Sequence, residues 1–240
     1  MGLLEGLPVT AAEADVVDDC LGLHWTGVWV RTPRGERCGL ASTLCPSPEP
    51  ARLASPAVAD AGQLDSMRLP RGGPEASLGP ATLQAMIPLN QNRWTQGNAD
   101  QVLAWRCRGK RVVLVGKFHF AALLGPLAAS PTVLELEPLQ GERPGDQAAE
   151  VLAASDLIVI TGMALVNRTL DGLLPLCPPD GQVALVGPSV PLSEVLFGHG
   201  VSLLRGAFVE KPAQVMAGIR QGADFHPVRR LGVRVGIFGR

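Results

Sequence analysis

The chain has 240 residues, of which 46% are hydrophobic and 18% charged; that much apolar surface offsets the entropy lost on folding, so disorder is excluded and one large or two modest domains fit the length. With 21 Lys and Arg against 22 Asp and Glu the net charge is -1, so no overall field draws in nucleic acid or an anionic membrane, and neither is an expected partner. The five cysteines, odd in number and without a C-x-x-C pair, indicate neither a disulfide framework nor a zinc knuckle, and the lack of any tyrosine removes phenolic acid, base and nucleophile chemistry.

The start, MGLLEGLPVTAAEADVVDD, has no basic segment and carries Glu5, Glu13, Asp15, Asp18 and Asp19, unlike an export signal or a transit peptide. Apolar stretches such as Phe120 to Leu124 fall far short of the ~20 residues needed to span a bilayer, so a cytoplasmic protein is expected. Trp25 to Arg31 alternates and is rich in Trp and Val, Thr32 to Gly35 supplies turn residues and Arg37 to Thr43 resumes, which predicts a β-hairpin. Between Pro46 and Pro74 the chain is rich in Pro, Ala and Ser, with room for a short helix within Ala51 to Met67. Ser77 to Leu89 reads as a helix that Pro88 ends or kinks, and Asn98 to Trp105 as a further helical turn or two with Asn98 as its N-cap.

From Lys110 short β-branched runs alternate with helical patterns, the signature of a parallel sheet built from βαβ units. Strands are expected at Arg111 to Val115, Thr132 to Leu136, Leu157 to Thr161, Gln182 to Val186 and Ser202 to Leu204. Helices are expected at about His119 to Ala129, Asp146 to Ala154, Thr169 to Leu176, Leu192 to Phe197 and Pro212 to Gln221. The result is a doubly wound, Rossmann-like α/β domain over residues 108–225, behind a smaller N-terminal α+β domain over 1–107. Residues 226–240, with Arg229, Arg230, Arg234 and Arg240, are left as a terminal strand or solvated tail.

In such a sheet ligands bind beyond the carboxyl ends of the strands, which singles out four loops. The first, V-G-K-F-H-F, contains Gly116, Phe118 and His119. A single glycine is not the G-x-G-x-x-G of a dinucleotide site, so NAD is disfavoured, although backbone N–H groups there remain open to a polar ligand. Glu135 and Glu137 close the second strand where an acid often holds a ribose diol, and Glu137 at the tip is the stronger candidate. The third loop, T-G-M-A-L-V-N-R-T-L-D, offers Thr161, Gly162, Asn167 and Thr169, with Asn167 as an N-cap that leaves ligand contact possible and Asp171 in the first turn. The fourth, G-P-S-V-P-L, offers Gly187 and Ser189; without a G-x-S-x-G elbow, Ser189 is read as a hydrogen-bonding group rather than a nucleophile.

V-G-K-F, L-E-L-E-P, T-G-M-A-L-V-N-R-T-L-D and G-P-S-V-P-L, in that order over Lys110 to Ala223, resemble the putative heavy-metal chelation family. Upstream, W-T-G-V-W-V, C-G-L-A-S-T and S-L-G-P-A-T-L-Q-A resemble the domain of unknown function that precedes it, with an enolase N-terminal-like fold; Gln84 stands where relatives tend to have asparagine. The resemblance implies a site between the two domains and a transition metal among its ligands. The histidines and cysteines show no i, i+3 or i+4 pairing, so a metal site would have to assemble in three dimensions, with His119, Glu137 and Cys38 or Cys45 as donors. Three functions stay open: a protein that binds or processes a small molecule or metal complex, an enzyme using a nucleotide-like cofactor such as S-adenosylmethionine, and a non-catalytic scaffold. Oligomeric state stays open, with a homodimer possible because dimers are the commonest assembly.

Overall fold

The computed structural model describes residues 14–44, 73–87, 94–96 and 99–239. The expected helix within Ala51 to Met67, Pro88, Asn98 and Cys45 lie outside them. The N-terminal part is a three-stranded antiparallel meander of β1 (Asp15–Leu21), β2 (Trp25–Thr32) and β3 (Gly35–Ser42). Its hairpin closes with Thr32 opposite Gly35, in the register the alternation predicts. β1 was not legible, because Asp15, Asp18 and Asp19 break its apolar pattern; it pairs with β2 through a bulge between Val16 and Asp18. A helix, α1 (Leu78–Met86), lies on this sheet and buries Leu78, Ala81, Ala85 and Met86 against Val28, Val30 and Ala41.

Two more residues, β4 (Thr95–Gln96), and a helix, α2 (Ala99–Arg106), lead into the large sheet. Its strands are β5 (Arg111–Val115), β6 (Ser130–Glu135), β7 (Arg143–Pro144), β8 (Leu157–Thr161), β9 (Gln182–Val186), β10 (Leu203–Val209) and β11 (Val233–Gly239). The order is β4-β11-β10-β9-β8-β5-β6-β7. From β7 to β10 all pairs are parallel, while β11 and β4 close one edge antiparallel. Taken in chain order, the six parallel strands sit 3-2-1-4-5-6, the Rossmann arrangement, with its topological switch between β5 and β8. The fold class is therefore a Rossmann-like α/β sheet with flanking helices and a small antiparallel N-terminal sheet.

The helices at the carboxyl edge are shorter than their patterns suggest: α3 (Ala121–Leu124), α5 (Met163–Val166) and α6 (Leu170–Leu173) are single turns, after which the chain tightens or bends. Prolines account for part of this, since Pro126 and Pro175 bring no N–H to extend a ladder. α4 (Ala148–Ala153), α7 (Pro212–Arg220) and α8 (Phe225–Arg230) complete the set.

One face of the large sheet packs Ile158, Ile160, Val113, Leu185 and Leu204 under Leu152 and Leu196; the other packs Val112, Leu114, Val159, Val186 and Leu203 under Leu103 and Cys107. Two further clusters join the N-terminal sheet to the rest. Val166 of α5 enters the core beneath α1, and Trp25, Cys38 and Leu40 pack with Val215, Met216, Ile219 and Val233. Each such side chain contributes about 1.5–3 kcal/mol when withdrawn from water, so the two parts share apolar cores rather than meeting at a loose seam. Arg220 also pairs with Asp18 across the junction.

The amino ends of β5 and β8 are tied by one carboxylate. Asp156 accepts from Arg111 Nη2 at 2.6 Å, Nε at 3.2 Å and backbone N at 2.8 Å. The guanidinium, and then the backbone N–H, lower the Asp156 pKa from 3.8 to about 2. A carboxylate depressed in the folded state stabilises fully above its ordinary value and loses that contribution as pH falls through the folded one. Asp156→Asn is therefore expected to flatten the acid limb of the stability profile between about pH 4 and pH 2, measured as urea midpoint against pH. An unchanged limb would count against the pairing.

Candidate functional site at the carboxyl edge of the sheet

The strand registers place four residues in one row at the carboxyl edge. Arg205 is abreast of Val186, Val186 of Thr161, and Gly116, following the Val115 and Ile160 pair, of Thr161 in turn. Side chains alternate along a strand, and Leu203, Val159 and Leu114, two positions earlier, all face the α2 side, so this row faces that side too. From β10 to β5 the row crosses three strand spacings, roughly 14 Å, the scale of a small molecule.

Gly116 has φ 101°, a conformation that side chains other than glycine's rarely adopt, and a Cβ there would lie 2.6 Å from Thr161 Cγ2. The glycine thus lets the first and third loops close on each other at the switch point. Thr161 is half-buried, and its Oγ1 accepts from Met163 N at 3.4 Å. Phe118 is half-buried and stacks on Phe120 with ring centres 4.9 Å apart. His119 is exposed, with Nε2 3.5 Å from Asp100 Oδ2 in the first turn of α2. Gly162 donates its N–H to Val186 O at 3.0 Å, and Gly187 to Arg205 O at 3.0 Å, which stitches β8, β9 and β10 just above the row.

The remaining expected residues are placed elsewhere or used otherwise. Asn167 ends α5 rather than opening the next helix; its Oδ1 accepts from Thr169 N at 3.2 Å and Thr169 Oγ1 at 2.8 Å, steering the chain through Arg168 at φ 58° into α6. Ser189 is buried, and its Oγ accepts from Ser42 N at 2.9 Å and lies 3.2 Å from Ser42 Oγ, so this hydroxyl fastens the fourth loop to β3. Gln84 does the same from α1: its Oε1 accepts from Leu40 N at 2.6 Å and its Nε2 donates to Pro188 O at 2.7 Å. Glu137 is exposed beyond the end of β6.

The proposed metal donors do not come together among the described residues, where no group of three or more His, Cys, Asp and Glu is placed to hold an ion. Cys38 is buried in the core beside Met216, and that burial pushes its thiol up to about 12, so it stays protonated at neutral pH and is a poor metal donor. The loops also lack what a diphosphate needs. α3 is a single turn capped by Phe120, without the glycine-rich entry and long helix that aim N–H groups at phosphate.

Sequence reasoning missed Arg205, Asp100 and Ser42. Arg205 carried a signal, a lone arginine inside the run S-L-L-R-G-A-F-V, where β10 continues past the charge.

This geometry defines a Rossmann-like protein whose strand-end loops are held by an N-terminal sheet and helix. The family DUF364, described as "Putative heavy-metal chelation", matches residues 101–236, and the chain belongs to it. A DUF364 protein of unknown function from Desulfitobacterium hafniense DCB-2 superposes with TM-score 0.77 at 23% identity, over 99% of this chain and 96% of that one. Another, from Pyrococcus horikoshii, does so with TM-score 0.77 at 20% identity, over 95% and 94%. No curated protein matches the chain. No helix among the described residues is long and apolar enough to cross a membrane.

Proposed function

We propose that this protein binds a small polar molecule, free or carrying a metal ion, over the strand ends at Gly116, Thr161 and Arg205, with the buried Val186 between them, where the Rossmann-like sheet meets the N-terminal module. The observation that carries the reading is the row itself. It puts a glycine and a hydroxyl at the topological switch between β5 and β8 and a cation on the same face two strands away on β10, with Phe118 and His119 following in the first loop and Asp100 acting on Arg205. Apolar and polar groups converging at that position are the usual furniture of a ligand crevice. The family description speaks for a metal; with no group of three donors among the described residues, such a metal would be one whose ligand supplies part of its coordination.

The test is a titration of isotopically labelled protein, purified without chelators, followed by amide NMR. Probes are Zn2+ alone, Zn2+ with citrate, adenosine and S-adenosylmethionine. At least one is expected to shift the amides of Gly116, Phe118, Thr161 and Gly187 together. If every probe leaves those four unmoved, or binds with shifts confined elsewhere, the reading fails. A response to free Zn2+ as strong as to its citrate complex would instead reinstate a protein-only metal site.

A further inference from the structure

Arg205 is a charge set inside a strand of the large sheet. It is half-buried in the interior of β10, and its Nε is shut off from solvent with no acceptor among the described residues. A guanidinium offers five donors, and withdrawing such a group from water without acceptors is unfavourable. Its strongest charged neighbour is the Asp100 carboxylate, ahead of Arg229. Val186 and Leu203 on its face are apolar, its backbone carbonyl is taken by Gly187 N, and Arg229 is a second cation acting on it. Burial lowers its pKa below the ordinary value; Asp100 works in the other direction, and Arg229 adds to the lowering. The surface Arg111, by contrast, donates from Nε and Nη2 to Asp156.

We infer that Arg205 is the anion-recognition residue of the strand-end crevice, and that the ligand carries an oxyanion group, carboxylate or phosphate, which supplies an acceptor for the orphaned Nε. This rests on the site proposed above and names the chemistry of its ligand. The planar fork of arginine matches both groups, and bonds between ionised partners in a partly dry site are stronger than neutral ones.

The full chain, Arg205→Gln and Arg205→Lys are titrated with citrate and with inorganic phosphate at fixed ionic strength, and with adenosine as an uncharged probe, by calorimetry and amide NMR. Circular dichroism establishes that each variant is folded, and Arg205→Lys, which keeps the charge, carries the comparison if Arg205→Gln is not. Wild type is expected to bind at least one of the two anions with shifts at Thr161 and Gly187. Affinity should fall roughly tenfold or more in Arg205→Gln and by less in Arg205→Lys. Preference for citrate or phosphate identifies the group. Equal anion affinity in wild type and Arg205→Gln, or no anion binding by wild type, overturns the inference. If adenosine still moves the row while anions do not, the crevice stands and only its anionic character falls. Anion shifts remote from Gly116, Thr161 and Gly187 would remove both.

Discussion

Gly39→Ala is expected to destabilise the protein by about 3 kcal/mol or more, the upper range for overpacking a buried position. A Cβ at Gly39 would lie 2.5 Å from Ala85 N and closer still to Ala81 O, both backbone atoms of α1. A flexible side chain could swing aside, but a helix backbone cannot, so α1 must lift from β3. That motion opens the core formed by Leu78, Ala81, Ala85 and Met86 on Val28 and Val30. It also draws Gln84 away from Leu40 N. The measurement is a urea unfolding curve by tryptophan fluorescence, read as a lower midpoint at unchanged slope. A stability within about 0.5 kcal/mol of wild type would mean that α1 does not sit on β3 as described.

The second large effect is Gln84→Ala, expected to lower stability by about 2–4 kcal/mol. The Gln84 amide is used at both ends: Oε1 accepts from Leu40 N at 2.6 Å, and Nε2 donates to Pro188 O at 2.7 Å and Val190 O at 3.3 Å. Truncation leaves a strand N–H and two loop carbonyls without their partner at a junction that is largely buried. Because Pro188 follows Gly187 directly, the fourth loop should loosen as well. Hydrogen exchange at Leu40 and Val190 is therefore expected to quicken, and ligand binding at the row to weaken, although Gln84 is not part of the row. Gln84→Asn, shorter by one methylene, should reproduce part of the loss. Unchanged exchange at both amides in Gln84→Ala would show that the loop is held by Ser42 and Ser189 alone.

Legibility differed by element for physical reasons. β5, β8 and β9 were read to the residue, because strands buried on both faces are short unbroken runs such as R-V-V-L-V and L-I-V-I-T. The hairpin register followed from alternation and a turn sequence. β10 was read as ending before Arg205, since a charge normally marks the end of a buried strand, yet pairing with β11 carries it on to Val209. The third and fourth loops were correctly located, but the partners of their polar groups were not: Ser189 looked outward to a ligand in sequence terms and is bonded to Ser42, which lies 147 residues away.

By itself, the sequence determined that there is a parallel sheet, where five of its six parallel strands lie, four of them to within two residues, and which loops lie at its carboxyl edge. These follow from local burial periodicity, which each segment records in its own residues. Only the tertiary structure decided that Gly116, Thr161, Val186 and Arg205 form a row, and that Ser42 and Gln84 clamp the loop beside it. Register between non-consecutive strands, and the partner of a buried polar atom, are set by packing across the whole chain, and no single segment carries them.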